Sequence, residues 1–154
     1  MVKNVKFCGP NTNLAAATEM LWTDCCGTLP VVDDRDNVVG MITDRDICIA
    51  LGTKDVPSAT VNVRDVSLPK LFSCAPDDDI HAALETMGAQ RVRRLPVIDT
   101  RGTLKGILSI DDVVLHAVKT PAKFSDITYE DVVTTLKRIC EKPPEHAKVA
   151  LAHA

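Results

Sequence analysis

The sequence predicts an α/β fold in which one β-α-β-β-α unit is used twice and followed by a C-terminal helix. Three observations lead there. First, Leu29-Pro30-Val31-Val32-Asp33 returns as Leu95-Pro96-Val97-Ile98-Asp99, an offset of 66 residues. Second, that offset holds without a gap: Cys8 meets Cys74, Pro10 meets Pro76, and Ala16, Ala17 and Glu19 meet Ala82, Ala83 and Glu85. Arg35 meets Arg101, Gly40 meets Gly106, and Asp46 meets Asp112. A fixed period of this kind is the mark of a duplicated structural unit. Third, hydrophobic residues make up 45% of the 154-residue chain but aromatics only 3%, so the interior must be aliphatic.

Each copy opens with a short extended piece ending at Pro10 or Pro76. A helix follows. Asn11 or Asn13 can cap it in the first copy, and Leu14, Ala17 and Leu21 space as one apolar face. In the second copy Asp77 to Asp79 supply the cap and a charge suited to a helix N-terminus, and Ile80, Ala83, Leu84 and Met87 form the face. Buried strands are expected at Leu29 to Val32 and Leu95 to Ile98, with polar turns at Asp33 to Asn37 and Asp99 to Thr103. Second strands run Val38 to Thr43 and Leu104 to Ser109. Second helices start near Asp44 and Ile110, with apolar faces at Ile47, Ile49, Leu51 and at Val113, Val114, Val118. Gly52 is expected to end the first of them.

Thr53 to Thr60, with Pro57 and Ser58, reads as the linker between copies. Val132, Val133, Leu136 and Ile139 place a tail helix at Tyr129 to Cys140, which Pro143-Pro144 should stop. The Ala-rich last ten residues would fray or pack on a partner. The organisation expected is residues 1–56 for the first copy, 57–120 for the second and 121–154 for a helical tail. A copy of roughly 50–60 residues buries little core alone, so two must share an interior.

Composition narrows function. A net charge of −3 and a pI near 5.8 give no electrostatic reason to bind nucleic acid. No apolar run approaches the roughly 18–20 residues that cross a bilayer, and the first ten residues lack a signal-peptide core. A cytoplasmic protein with no membrane or nucleic-acid partner is expected. The six cysteines form no C-x-x-C pair or zinc-finger pattern. His81, His116, His146 and His153 show no ligand spacing. No nucleophile–base set and no glycine-rich phosphate loop stands out, so no enzyme and no metal are expected.

The informative pattern lies where the second strand meets the second helix. Gly40-Met41-Ile42-Thr43-Asp44-Arg45-Asp46-Ile47 and Gly106-Ile107-Leu108-Ser109-Ile110-Asp111-Asp112-Val113 share Gly, two apolar residues, Thr or Ser, two variable residues, Asp and an apolar residue. A hydroxyl at the strand end followed by free N–H groups at a helix start makes an anion site. A carboxylate one turn on can accept from a ribose diol, and Arg45 adds a cation where a phosphate would lie. The other reading is that Thr43 with Asp46, and Ser109 with Asp112, simply cap helices.

This strand-then-junction pattern, in tandem over about residues 3 to 118, resembles the CBS family. The resemblance implies a CBS pair with pseudo-two-fold symmetry. It would bind an adenosine-based ligand (AMP, ADP, ATP, NAD or S-adenosylmethionine) without catalysis, in a cleft shared by the copies. Carried over, Thr43, Arg45 and Asp46 line one site, and Ser109 with Asp112 the other. Residues before the first strand would reach adenine and phosphate: Cys26, Gly27 and Thr28 in one copy, Val92, Arg93 and Arg94 in the other. Two neighbouring guanidiniums suit a phosphate clamp or a solvated edge. The family's opening segment is present as Val63-Arg64-Asp65-Val66-Ser67, so the Asp46 site keeps a wall at Asp65 and Val66. The first copy begins a few residues before its equivalent of Leu71, so the Asp112 site is expected to lose part of its own wall. The resemblance also implies a homodimer through the helices, which the tail helix would extend, and an effector protein as partner. Two alternatives remain: a protein-interaction module with vestigial sites, or a redox-responsive one acting through Cys25-Cys26 or Cys8 and Cys74.

Overall fold

The computed structural model describes residues 1–67, 71–123 and 126–141. The chain divides into two compact units, Met1–Asp77 with Pro96–Leu108, and Asp78–Leu95 with Ser109–Ala154. The elements run α1 (Leu14–Thr23), β1 (Thr28–Val32), β2 (Val38–Thr43), α2 (Asp44–Lys54), α3 (Ile80–Gln90), β3 (Arg94–Ile98), β4 (Leu104–Ser109), α4 (Ile110–His116) and α5 (Tyr129–Cys140). Two short 3₁₀ turns, Ser58–Thr60 and Val63–Asp65, lie between α2 and α3. The duplicated order and the bounds of β2, β4 and α5 are those the sequence predicts.

In the first unit β1 pairs antiparallel with β2, Leu29 opposite Ile42 and Val31 opposite Gly40. The register slips at Val32, which pairs with Val38 and leaves Val39 outside the ladder, exposed. Every β1 residue is buried, whereas β2 alternates, as a central and a half-exposed strand should. The opening extended piece is a single parallel bridge. Cys8 N–H donates to Pro30 O at 3.0 Å and Val32 N–H to Cys8 O at 2.9 Å. Cys74 repeats this with Pro96 O and Ile98 N–H. Pro30 and Pro96 have no N–H, so the ladder cannot extend past that one pair. The core beneath is aliphatic: Leu14, Ala17, Leu21, Leu29, Val31, Ile42, Ile47 and Val63 are buried together.

The hairpin turns are built alike. Asp33 Oδ1 accepts from the N–H groups of Arg35 and Asn37, and Asp99 Oδ1 from those of Arg101 and Thr103. Asp36 and Gly102 take the left-handed conformation each turn requires. Gly102 also lies against Asn37, where a Cβ would come within 2.6 Å of Oδ1. Ahead of Cys8, Val2 exchanges both backbone bonds with Ile107 and so adds to the edge of β4.

In the second unit α3 and α4 carry α5. Ala83, Leu84, Met87 and Gly88 of α3, Val113 of α4, and Val132 and Thr135 of α5 are buried. Arg138 forks onto Glu85 through both terminal nitrogens, Nη2 to Oε1 at 2.7 Å.

Several sequence expectations are corrected. Gly52 does not end α2. The helix runs on to Lys54, and Asp55 takes the left-handed cap at φ 50°, its N–H on Leu51 O. A glycine costs a helix only about 1 kcal/mol, too little to stop it, and Asp tolerates the cap conformation. The linker therefore starts two residues later than Thr53, and it contains a 3₁₀ turn. Ile49, Val114 and Val133 point outward rather than into the core, because the helical period turns Ala50, Val113 and Thr135 inward instead. Val118 lies beyond α4, bridged to Thr128. Pro143-Pro144 and the Ala-rich end lie outside the described residues.

Two outcomes check this packing. Leu29→Ala should cost about 2–5 kcal/mol in urea unfolding, while Val39→Ala stays within about 0.5 kcal/mol. Asp99 is held down at about 2 from an ordinary 3.8, by Thr103 N–H first, then the Lys105 ammonium against an opposing burial effect, with Arg101 N–H adding to it. Its folded value is depressed, so its contribution is full above its ordinary value and is lost as pH falls toward 2. Asp99→Asn should flatten the fall in melting temperature between pH 4 and 2.

Candidate functional site

In the first unit the junction is Thr43, extended at φ −119° and ψ 160°. Its Oγ1 accepts from Asp46 N–H at 3.1 Å and donates to Asp46 Oδ2 at 2.6 Å, and Asp46 Oδ2 accepts Thr43 N–H at 3.0 Å. This is a closed capping box. The expected free N–H groups are not there: Asp44 N–H reaches Gly27 O at 3.4 Å and Arg45 N–H is taken by Asp44 Oδ1 at 2.7 Å. A polar first turn satisfies its own donors before any anion arrives. Both box bonds fall on Oδ2, so Oδ1 of Asp46 has no protein partner among the described residues.

The residues expected around it are placed as follows. Arg45 is exposed and makes no ion pair among the described residues. Thr28 is buried, its hydroxyl donating to Ile42 O at 3.1 Å. Asp65 is exposed and caps its own 3₁₀ turn by accepting Asn62 N–H at 3.2 Å. Val66 packs on the core, as does Cys26. Gly27 lies by the box: a Cβ there would be 3.4 Å from Asp44 Oδ2.

The second unit repeats the junction. Ser109 Oγ accepts Asp112 N–H at 3.1 Å and donates to Asp112 Oδ2 at 2.8 Å, which also accepts Ser109 N–H at 2.9 Å. Burial pushes the Asp112 carboxyl up, the Ser109 bonds act against it, and the group ends below its ordinary value. Ile110 N–H donates to Arg93 O at 2.9 Å. Arg93 is exposed, and Arg94 is half-buried with Nη2 3.9 Å from Asp111 Oδ2. Val92 is half-buried, behind Arg91, which caps α3 at φ 57°.

Among the described residues the same kind of contact recurs where sequence reasoning passed it over. Thr128 closes a full box on Asp131 at the start of α5, and Asp65 accepts Asn62 N–H in half of one. Thr128-Tyr129-Glu130-Asp131 is plain in the sequence and warns that hydroxyl-x-x-Asp alone marks a cap. The repeat boxes differ in one respect. In each, the first helical N–H bonds the carbonyl of the residue just before the first strand or its start, Gly27 or Arg93. That bond brings the pre-strand segment beside the box, so two motifs distant in sequence meet at one place. The two sites then differ in charge. The first has Asp44 and Asp46 against Arg45; the second has Asp111 and Asp112 against Arg93 and Arg94.

None of the six cysteines forms a disulfide among the described residues. Burial pushes the Cys8 thiol up to about 11, so it rests protonated. Among the described residues no cluster of His, Cys, Asp or Glu could hold a metal ion, and no helix is long and apolar enough to cross a membrane.

A family model described as "CBS domain" matches residues 1–53 and 63–119. An inosine-5'-monophosphate dehydrogenase of Methanocaldococcus jannaschii is 33% identical over 114 residues, 74% of this chain and 22% of that protein. The CBS domain-containing protein YhcV of Bacillus subtilis is 27% identical over 128 residues, 83% of this chain and 89% of that one. The crystal structure of CBSX2 in complex with AMP superposes with a TM-score of 0.64 at 28% identity, covering 75% of this chain and 90% of that one. The chain spans less than two thirds of the length of several curated relatives it matches.

The boxes carry a structural load that is measurable without ligand. Thr43→Ala should cost about 0.5–2 kcal/mol in urea unfolding, and Thr128→Ala a similar amount. Only the first of the two should also change whatever the junction binds.

Proposed function

The chain belongs to the CBS-domain family as a tandem pair, and from that membership we propose that it senses an adenosine-containing ligand without catalysing a reaction. The candidates are AMP, ADP, ATP, NAD and S-adenosylmethionine. The observation that carries the proposal is the division of labour within the Asp46 carboxylate. Oδ2 serves the helix cap, and Oδ1 remains to accept a ribose hydroxyl. A box of this kind keeps its structural role while it binds.

In this reading Thr43, Arg45 and Asp46 hold ribose and phosphate at the first junction, with Thr28, Asp65 and Val66 as its surroundings. Ser109 and Asp112 do the same at the second, with Val92 beside them and Arg93 and Arg94 on the phosphate. Charge separates the two. One arginine faces two aspartates at the first junction, which disfavours a polyphosphate and suits AMP or a cationic ligand such as S-adenosylmethionine. Two arginines balance two aspartates at the second, which suits ADP or ATP. The complex of CBSX2 with AMP supports the ligand class. A ligand would act on a partner protein only through different affinities for two states of the pair.

A second reading, a redox-responsive module, draws on Cys25 and Cys48. Both are exposed and line one groove with Cys26. It predicts that oxidant, rather than nucleotide, changes the protein.

Isothermal titration calorimetry with the five ligands tests the proposal. Binding by at least one is expected. Asp46→Ala with Asp112→Ala should weaken it about 10- to 100-fold, the value of charge-assisted hydrogen bonds to a carboxylate. Silence from every ligand, or binding unchanged in the double variant, would remove it.

A further inference from the structure

We propose that the exposed face of α1 docks an arginine-bearing amphipathic helix of another protein, its guanidinium paired with Glu19 and stacked on Trp22. The second unit contains the template. There α5 lies on α3 and runs in the same direction. His81 Nε2 is 3.9 Å from Asp131 Oδ2 at the two first turns, and further along Arg138 forks onto Glu85. The stem of Arg138 crosses Gly88 so closely that a Cβ there would be 3.1 Å from its Nε and 3.2 Å from its Cδ. Val132 and Thr135 of α5 are buried. An amphipathic helix is thus held on α3 by one carboxylate and one arginine.

At the 66-residue offset Ala15, Glu19 and Trp22 of α1 stand where His81, Glu85 and Gly88 stand in α3. The acid is kept, and the glycine is replaced by the one tryptophan of the chain. Trp22 is 84% exposed, and Glu19 is exposed with no partner among the described residues. The two are three residues apart and share a helix face. An arginine placed as Arg138 is would meet the indole where Arg138 meets bare backbone. A guanidinium can fork onto a carboxylate and stack on an aromatic ring at once, which an ammonium does less well.

The surroundings complete the match. Glu19 is the one charged residue of α1. Beside it a groove of about 950 Å³ is lined by Leu21, Trp22, Ile47, Cys48 and Leu51, and Asp44 is its one charged lining residue. An apolar groove edged by carboxylates suits the apolar side of a basic amphipathic helix. Each copy of this chain already has its own α5 engaged on α3, so the helix comes from a different protein. The inference does not rest on ligand binding, and its test contains no nucleotide.

The probe is a dye-labelled, stapled peptide with the sequence of residues 128–141 and Cys140→Ser, added to the full chain. Fluorescence anisotropy reads binding, and Trp22 emission reports where it occurs. Saturable binding below about 1 mM that changes Trp22 emission is expected. Arg138→Gln in the peptide, or Glu19→Gln in the protein, should weaken it about 3- to 10-fold, and Trp22→Ala about 10-fold or more. Leu115→Glu, on the exposed face of α4, should leave it unchanged. If Trp22→Ala fails to fold, a charge exchange decides: Glu19→Arg should reject the natural peptide and accept the one carrying Arg138→Glu. No binding overturns the proposal, and so does binding indifferent to Glu19 and Trp22. Binding that Glu85→Gln abolishes and Glu19→Gln spares is exchange with the native α5, which also overturns it. Trp22 emission that shifts with protein concentration alone assigns the face to a second copy and has the same consequence.

Discussion

In each repeat, one hydroxyl and one carboxylate three residues apart turn the chain from strand into helix. Thr43 with Asp46, and Ser109 with Asp112, end β2 and β4 and start α2 and α4 within a single residue. The strand can be short and half-exposed because the junction, not its own ladder, fixes where it stops. The helix can be short because its first donors are satisfied locally. The adjoining carbonyl of Gly27 or Arg93 then ties the segment before the first strand to the same spot. Junction and fold are therefore the same few hydrogen bonds, and a ligand bound there as proposed would use what the cap leaves over.

A second constraint shapes the strands. A proline in the middle of β1 and β3 removes a donor from each buried strand, so the outer edge receives one bridge from Cys8 or Cys74 and no more. That limits the sheets to two true strands each and leaves the helices to supply most of the cover. The burial of Cys8 at such a bridge also explains its resting thiol. The exposed thiols lie elsewhere: Cys25 and Cys48 line one groove, and Cys140 ends α5.

Much of this was legible in the sequence because it is local. Caps announced the helix starts at Asn13, Asp79, Thr43 and Ser109, and the apolar spacing of Val132, Leu136 and Ile139 placed α5. What escaped was set by neighbours. Ile49 and Val133 fit an apolar stripe, yet they point outward because the helices meet their neighbours on a different line. Gly52 looked like a stop, but Asp55 provided a better one. The free N–H groups expected of a phosphate site disappeared because Asp44 bonds its neighbour's amide and Gly27 supplies a carbonyl, and no local pattern foretells that second contact. Gly88 could not be recognised as the place where α5 fits, since only the packed helix reveals it.

The duplicated unit has been used unequally. One copy has its α3 face covered by α5 and two arginines at its junction; the other has an open face with Trp22 and a more acidic junction. On the proposed function, a capping box at a strand end doubles as a ligand site, while the same box at α5 does not. Amide chemical shifts in a titration with AMP compare them inside one molecule. Movement is expected at Thr43 and Asp46, at Ser109 and Asp112, or at both pairs, with Thr128 and Asp131 still. No movement at either junction, or equal movement at all three boxes, would contradict it.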